Sequence, residues 1–324
     1  MIDSIDFFIR DIYFLDFNHL RSLGINDIKS FTSKDRLGNE NTHYRWSYKG
    51  IEFKYNTLAH IVTAITNTHT ILDEKMYITL SDRALYKNRI EQIFNEIFSG
   101  MLVKYELNRI DYCVDIKFED DVLLEKYLIL YKYQNPKFVH TKIKNIYATS
   151  IYRSSGRGQY NLNIYLKYAE SKDERYRGIL RLELQMKKAK IKKEYEKYGI
   201  PKDLDYYWTQ EAMEEYYFDF LSDFFGSGKH MKFSKAKELI SKSDYSDTWK
   251  KKLKKFLKER MVQVDYKNIV KTKKTFNTYA EKLGALNINT LCMFEAFEPF
   301  FPETDGIDNL LDLARNVAND KYFK

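Results

Sequence analysis

Apolar and polar positions alternate with a period of two through residues 3–11, 44–56, 76–81, 103–118, 143–153, 159–168 and 178–187. That period is the signature of strands with one buried face. The run 44–56 carries its own turn at Tyr48-Lys49-Gly50, and "SSGRG" at 154–158 punctuates a second hairpin. Helical spacing takes over at 57–68, 82–99 and 119–133, where "SDRALYKNRIEQIFNEIFSG" has a capping serine or aspartate and a closing Gly100. Past Gly199-Ile200-Pro201 the pattern is almost wholly helical, over 206–225, 232–242, 246–262, 272–284 and 304–318. The expectation is an α+β protein: an antiparallel sheet with flanking helices over 1–202, then a mostly α-helical domain over 203–324.

Sorting three strands by face sharpens the picture. In "RIDYCVDIKF" Ile110, Tyr112, Val114, Ile116 and Phe118 share the apolar side, opposite Arg109, Asp111, Cys113, Asp115 and Lys117. In "LRLELQMK" Leu180, Leu182, Leu184 and Met186 oppose Arg181, Glu183, Gln185 and Lys187. "NLNIYLKY" sets Asn163, Tyr165 and Lys167 together. Each alone reads as an ordinary sheet with a solvated, cross-paired face. Side by side, they would gather acids, cations and a phenol on one surface.

Composition narrows the class. The 324 residues include four prolines and twelve glycines, which excludes collagen-like or low-complexity structure. No apolar run approaches the ~20 residues of a membrane span. The opening "MIDSIDFFIRDI" is acidic and reads as a first strand rather than a signal peptide. Cys113 and Cys292 form no metal knuckle or disulfide framework, so a reducing cytoplasm is expected and both read as buried apolar residues. The formal charge is +8, and residues 187–274 hold 23 Lys/Arg against 14 Asp/Glu. Concentrated basic charge with 16% aromatic residues suits nucleic acid better than a lipid surface.

Cleaving a DNA phosphodiester needs a nucleophile, charge neutralisation at the phosphate and usually a divalent cation. Tyrosine attacks only if a base or cation favours its phenolate. Tyr165 with Lys167 beside it fits that need, and Asp111 and Glu183 offer hard oxygen ligands for Mg²⁺ or Mn²⁺. Glu52 is an alternative ligand. His60 and His69, nine residues apart, fit neither one helix face nor adjacent same-face strand positions and read as helix and loop residues. Tyr195 and Tyr198, on the lysine-rich "KKAKIKKEYEKY", rank second and third as nucleophiles.

The stretches "MIDSIDFFI", "NRIDYCVDI" at 108–116, "NIYLKYAE" at 163–170, "GILRLELQMKK" at 178–188 and "YGIP" at 198–201 follow one another in the order of a known family. The first ~200 residues resemble filamentous-phage gene II/X-type replication initiators, and more loosely the rolling-circle initiators of small plasmids. The resemblance implies a nicking domain over 1–202 in which Tyr165 joins DNA as a 5′-phosphotyrosine, Arg181 and Lys167 neutralise charge, and Asp111 and Glu183 serve as metal or positioning ligands. It also implies origin DNA as substrate, a host helicase and DNA polymerase as partners, and the cytoplasm of a bacterial host cell. Many rolling-circle nickases hold metal through a His-hydrophobe-His pair, and this chain has no such tripeptide. "KTKKTFNTYAEKLGALNINTL" at 271–291 is similar to the family's C-terminal element, but Gly284 is followed here by Ala285-Leu286-Asn287-Ile288-Asn289.

In the helical part, "TWKKKLKKFLKER" spaces Trp249, Leu253, Phe256 and Leu257 on one face under a coat of lysines. Lys187, Lys188, Lys192, Lys251, Lys254, Lys255, Lys273 and Lys274 are the expected phosphate contacts. "SKAKELISKSDYSDTWKKKLKKFL" suggests a helix-turn-helix-like pair, and the acidic "EAMEEYYFDF" a packing or dimer surface. The alternative from another class is a non-catalytic regulator, its sheet stacking Tyr and Arg on single strands without cleaving them.

Overall fold

The computed structural model describes residues 2–34, 38–101, 103–119, 127, 150–154, 158–262, 269–292 and 305–323. Its frame is one antiparallel nine-stranded sheet in the order β2-β3-β4-β5-β1-β6-β9-β8-β7. The strands are β1 (Ile2–Ile9), β2 (Lys29–Lys34), β3 (Glu40–Tyr48), β4 (Ile51–Asn56), β5 (Ile61–Asn67), β6 (Tyr105–Lys117), β7 (Ser150–Ser154), β8 (Tyr160–Leu166) and β9 (Ile179–Met186). Two tight approaches explain glycines. Lys49 and Gly50 both take positive φ, 45° and 79°, the primed turn that matches strand twist between β3 and β4. At Gly178 (φ 72°) a Cβ would sit 2.7 Å from the Phe118 carbonyl oxygen, so only glycine lets β9 close onto β6 there.

One face of the sheet is apolar and covered. Trp46 stacks on its cross-strand partner Phe53, and Phe53 meets Phe94 of the helix Arg83–Ile97 edge-on. Tyr112 donates to the Tyr207 carbonyl at 2.8 Å, and Tyr217 to the Leu182 carbonyl at 2.9 Å, tying residues 204–225 to the sheet centre. The final helix, Leu310–Lys321, belongs to the same core through Leu310, Leu311, Ala314 and Ala318. Helices Phe233–Lys242, Asp247–Val262 and Lys273–Gly284 build a second core from Ala236, Ile240, Leu253, Phe256, Leu257, Leu283 and Cys292. The division expected at 202/203 therefore runs through the first core; the separately packed lobe spans Met231–Cys292.

Several local expectations are corrected. Residues 57–68 were expected to be helical, but Ile61–Asn67 is β5, because Val62, Ala64 and Thr66 alternate inward between β4 and β1. Its β-branched run, Ile61, Val62, Thr63, Ile65 and Thr66, suits a pleated surface better than a helix. The expected strand 76–81 is irregular chain entering a single 3₁₀ turn, Leu80–Asp82. The expected helix 206–225 is broken into Leu204–Tyr207, Gln210–Ala212, a π-helical Met213–Phe218 and Asp219–Phe225. Of the expected helix 119–133 and strand 143–153, only 119, 127 and 150–153 lie within the described residues.

Candidate active site on the polar face of the sheet

The three strands singled out by alternation are neighbours, and their polar positions are in register. Asp115 pairs across to Arg181 and Arg181 to Tyr165; Cys113 pairs to Glu183 and Glu183 to Asn163; Asp111 pairs to Gln185 and Gln185 to Asn161. Directly paired residues of antiparallel strands project from the same face. One surface therefore carries three rows of polar side chains opposite the packed helices.

Glu183 is the hub of the middle row. Its Oε2 accepts from the Tyr165 hydroxyl at 2.8 Å, and its Oε1 accepts from Asn163 Nδ2 at 2.9 Å and Gln185 Nε2 at 3.0 Å. Tyr165 is 9% exposed. Burial, and then the Glu183 charge, push its phenol well above the ordinary value, with Arg181 pulling the other way.

Arg181 sits in the next row and is fully buried. Its Nε and Nη2 donate to the two Asp115 oxygens at 2.6 and 2.7 Å, and its Nη1 to Asp3 Oδ1. Burial pushes the Asp3 carboxyl up, but Arg181, His69 and Lys167 together outweigh it and hold the group below the usual carboxylate range. His69 Nε2 lies 3.5 Å from Asp3 Oδ1, while its Nδ1 is 2.6 Å from the Lys75 carbonyl oxygen. In the third row Arg109 takes both Asp111 oxygens, with its Nε at 2.8 Å from Oδ1. Burial still pushes the Asp111 carboxyl well up, only partly offset by Arg109.

These partners revise the expected roles. Lys167 is not on the strand: β8 ends at Leu166, and Lys167 opens the short helix Lys167–Ser171. Its Nζ nonetheless lies 5.9 Å from the Tyr165 ring centroid and is paired with Glu170 at 2.6 Å. Arg181 has its guanidinium committed to two aspartates, so it reaches Tyr165 through its field. Asp111 has both oxygens on Arg109.

The donor set does not fit the expected Mg²⁺ or Mn²⁺. Glu183 already accepts three hydrogen bonds, and Glu52 lies four strands away on β4, about 19 Å at ~4.8 Å per strand. There it is paired with Arg45 at 2.7 Å and Lys54 at 2.8 Å. Among the described residues no three His, Cys, Asp or Glu side chains form a metal-ligand set.

The alternative tyrosines stand apart on the helix Lys188–Tyr198, both exposed. Lys202 lies over the Tyr195 ring at 4.5 Å, and Tyr198 accepts from Lys197 at 2.7 Å. Lys187 occupies the N-cap position of that helix without a capping side-chain hydrogen bond; Lys188 lies over the Phe8 ring at 4.5 Å, and Lys192 faces Glu196 at 3.5 Å. In the helical lobe Lys251, Lys255, Lys273 and Lys274 are exposed, while Lys254 donates to Ser241 Oγ at 2.6 Å.

Sequence reasoning missed Asp3, Asn163, Gln185 and His69 as members of this network. Asn163 and Gln185 were legible, standing on the polar faces of β8 and β9. Asp3 was not, because a register shift between Ile2 and Ser4 brings it to Arg181.

No family model matches the chain, and no curated protein matches it. Among solved structures it is similar to a rolling circle replication initiator protein from Geobacillus stearothermophilus. The sequences are 12% identical, and the match covers 58% of this chain and 73% of that one with a TM-score of 0.30.

Proposed function

We propose that this chain is a DNA replication initiator that nicks and rejoins one strand of an origin through Tyr165. The observation that carries the reading is the 2.8 Å hydrogen bond from the Tyr165 hydroxyl to Glu183 on a face shared with Arg181. A phenol whose proton already points at a carboxylate has its general base in place. As the phenolic oxygen attacks phosphorus, Glu183 takes the proton and the bond to the 3′ oxygen breaks. That oxygen is protonated from water, and the 5′ phosphate stays on Tyr165. Reversal by a free 3′-OH rejoins the strand.

Lys167 is the residue that meets the phosphate. Its present partner Glu170 is half-exposed, so a phosphate can take that carboxylate's place on the Lys167 ammonium. The lysine-coated lobe, with Lys251, Lys254, Lys255, Lys273 and Lys274, holds duplex origin DNA through its backbone. The free 3′-OH serves a host polymerase, and a helicase opens the strand ahead of it.

The test is formation of a covalent protein–DNA adduct on origin DNA with Mg²⁺ supplied. Tyr165→Phe is expected to abolish the adduct; an undiminished adduct would remove Tyr165 as nucleophile. The burial of Tyr165 and its raised pKa favour a second reading, a non-catalytic single-strand-binding regulator. That reading requires binding without any adduct from the wild-type protein.

A further inference from the structure

The far, exposed end of the same polar face carries a feature that the chemistry at Tyr165 does not use. β2 is the edge strand, all six of its residues are exposed, and one of them is Phe31, 56% exposed. Phe31 stands opposite His43 of β3 and stacks on it, with ring centroids 4.7 Å apart and planes 8° from parallel. His43 Nε2 and Ser33 Oγ lie 2.9 Å apart, which fixes the imidazole plane. Along the same rim Tyr13, 71% exposed, lies against His60 with centroids 4.6 Å apart. The intervening turn carries exposed Leu58 and is tied to β3 by Leu58 N–H donating to Asn41 Oδ1 at 3.3 Å. Among the described residues β2 is an edge strand, blunted by Lys29 and Lys34 against pairing with another strand, so its exposed ring is presented on a face kept free of sheet extension.

Two residues along, the neighbouring row is cationic. Lys29 of β2 stands opposite Arg45 of β3, and Arg45 opposite Lys54 of β4. Like charges placed directly across a sheet are destabilising. Glu52 is the acid bridging Arg45 and Lys54, and Asp27 lies 3.6 Å from Lys29. Between this row and the loop at 24–27 lies an open cavity of about 420 Å³ lined by Lys29 and Arg45. A row of cations about 7 Å from a row of stacked rings matches the offset between a backbone phosphate and its base. The ligand that places anionic groups on one line and flat π-faces on a parallel one is a single nucleic-acid strand.

We propose that the β2–β4 end of this face, through Phe31 and His43 with Lys29, Arg45 and Lys54, and Tyr13 against the β4–β5 turn, is a docking track for single-stranded DNA. The track lies seven strands, about 34 Å, from Tyr165. The proposal rests on the nicking reading for its source of single strand, but its test does not involve Tyr165. The measurement is binding of labelled oligothymidylate to the full chain, together with the fluorescence of a Phe31→Trp variant. Phe31→Ala and Tyr13→Ala are each expected to weaken binding about tenfold, with unchanged thermal melting because both side chains are exposed. Phe31→Trp is expected to retain affinity and to be quenched on binding. Arg45→Gln is expected to lower the salt slope by about 0.7. Undiminished affinity in both alanine variants with an unquenched tryptophan would overturn the track, as would absence of oligothymidylate binding by the wild type. A changed sedimentation coefficient of Phe31→Ala with unchanged affinity would also overturn it, assigning the rim to contact between copies. A wild-type chain that binds here but forms no adduct would leave the track standing and remove the nicking reading.

Discussion

The sheet and the helical lobe treat charge in opposite ways. On the central sheet face, charges are inward and committed: Arg181 to Asp115 and Asp3, Arg109 to Asp111, Glu183 to three neutral donors. In the lobe, the apolar residues form the core and the lysines are left on the outside. Residues 231–292 hold 16 Lys/Arg against 6 Asp/Glu, an excess of 10, whereas the whole chain's excess is 8. The rest of the chain is therefore net acidic. The sheet holds a phenol and a carboxylate in one geometry, and the lobe presents a net positive surface, the kind of field that attracts a polyanion without regard to sequence.

The contrast breaks most visibly at Arg181. Arg181→Met leaves Asp115 buried without its cation and takes one cation from Asp3, and is expected to cost about 3–5 kcal/mol in chemical denaturation. A loss below ~1 kcal/mol would mean the central face is far less sealed than its burial implies. A second point of weakness is His230, at the edge of the lobe and fully buried, with its Nδ1 2.9 Å from the Leu291 carbonyl oxygen. Burial lowers its pKa from 6.5 to about 4. The unfolded chain therefore binds a proton that the folded chain refuses, and stability falls as pH drops from about 6.5 towards 4. The expected loss is at most about 3 kcal/mol, read as a falling melting temperature over that window and absent in His230→Gln. Smallest in stability is the surface of the lobe. Replacing Lys251, Lys255, Lys273 and Lys274 by Gln should change stability by no more than about 0.5 kcal/mol per substitution. The same variant is expected to flatten the salt dependence of duplex binding by up to about 3.6.

What could be read in the sequence follows the same division. Alternation over 103–118, 159–168 and 178–187 marks β6, β8 and β9 and sorts their polar faces, because a period of two survives any tertiary context that buries one side. The lobe helices were legible from the spacing of Leu253, Phe256 and Leu257. Residues 57–68 misled because alanine and threonine scattered among β-branched residues fit both periods, and only pairing with β1 and β4 decides. The candidate site was legible as a set of residue types but not as a set of partners. That Arg181 binds Asp115, and that Asp111 is closed off by Arg109, depends on strand order and register that no single strand carries. Lys167 shows the limit most sharply: alternation places it two positions along the strand from Tyr165, yet it comes near that ring from the first turn of a helix.

The central claim is that one phenol, held against Glu183, takes the DNA. Its most direct test is to trap the wild-type protein on an origin strand, digest both components, and map by mass spectrometry the tyrosine that carries the nucleotide. The expected peptide contains Tyr165, with Tyr195 and Tyr198 unmodified. A nucleotide on Tyr195 or Tyr198 would contradict the account.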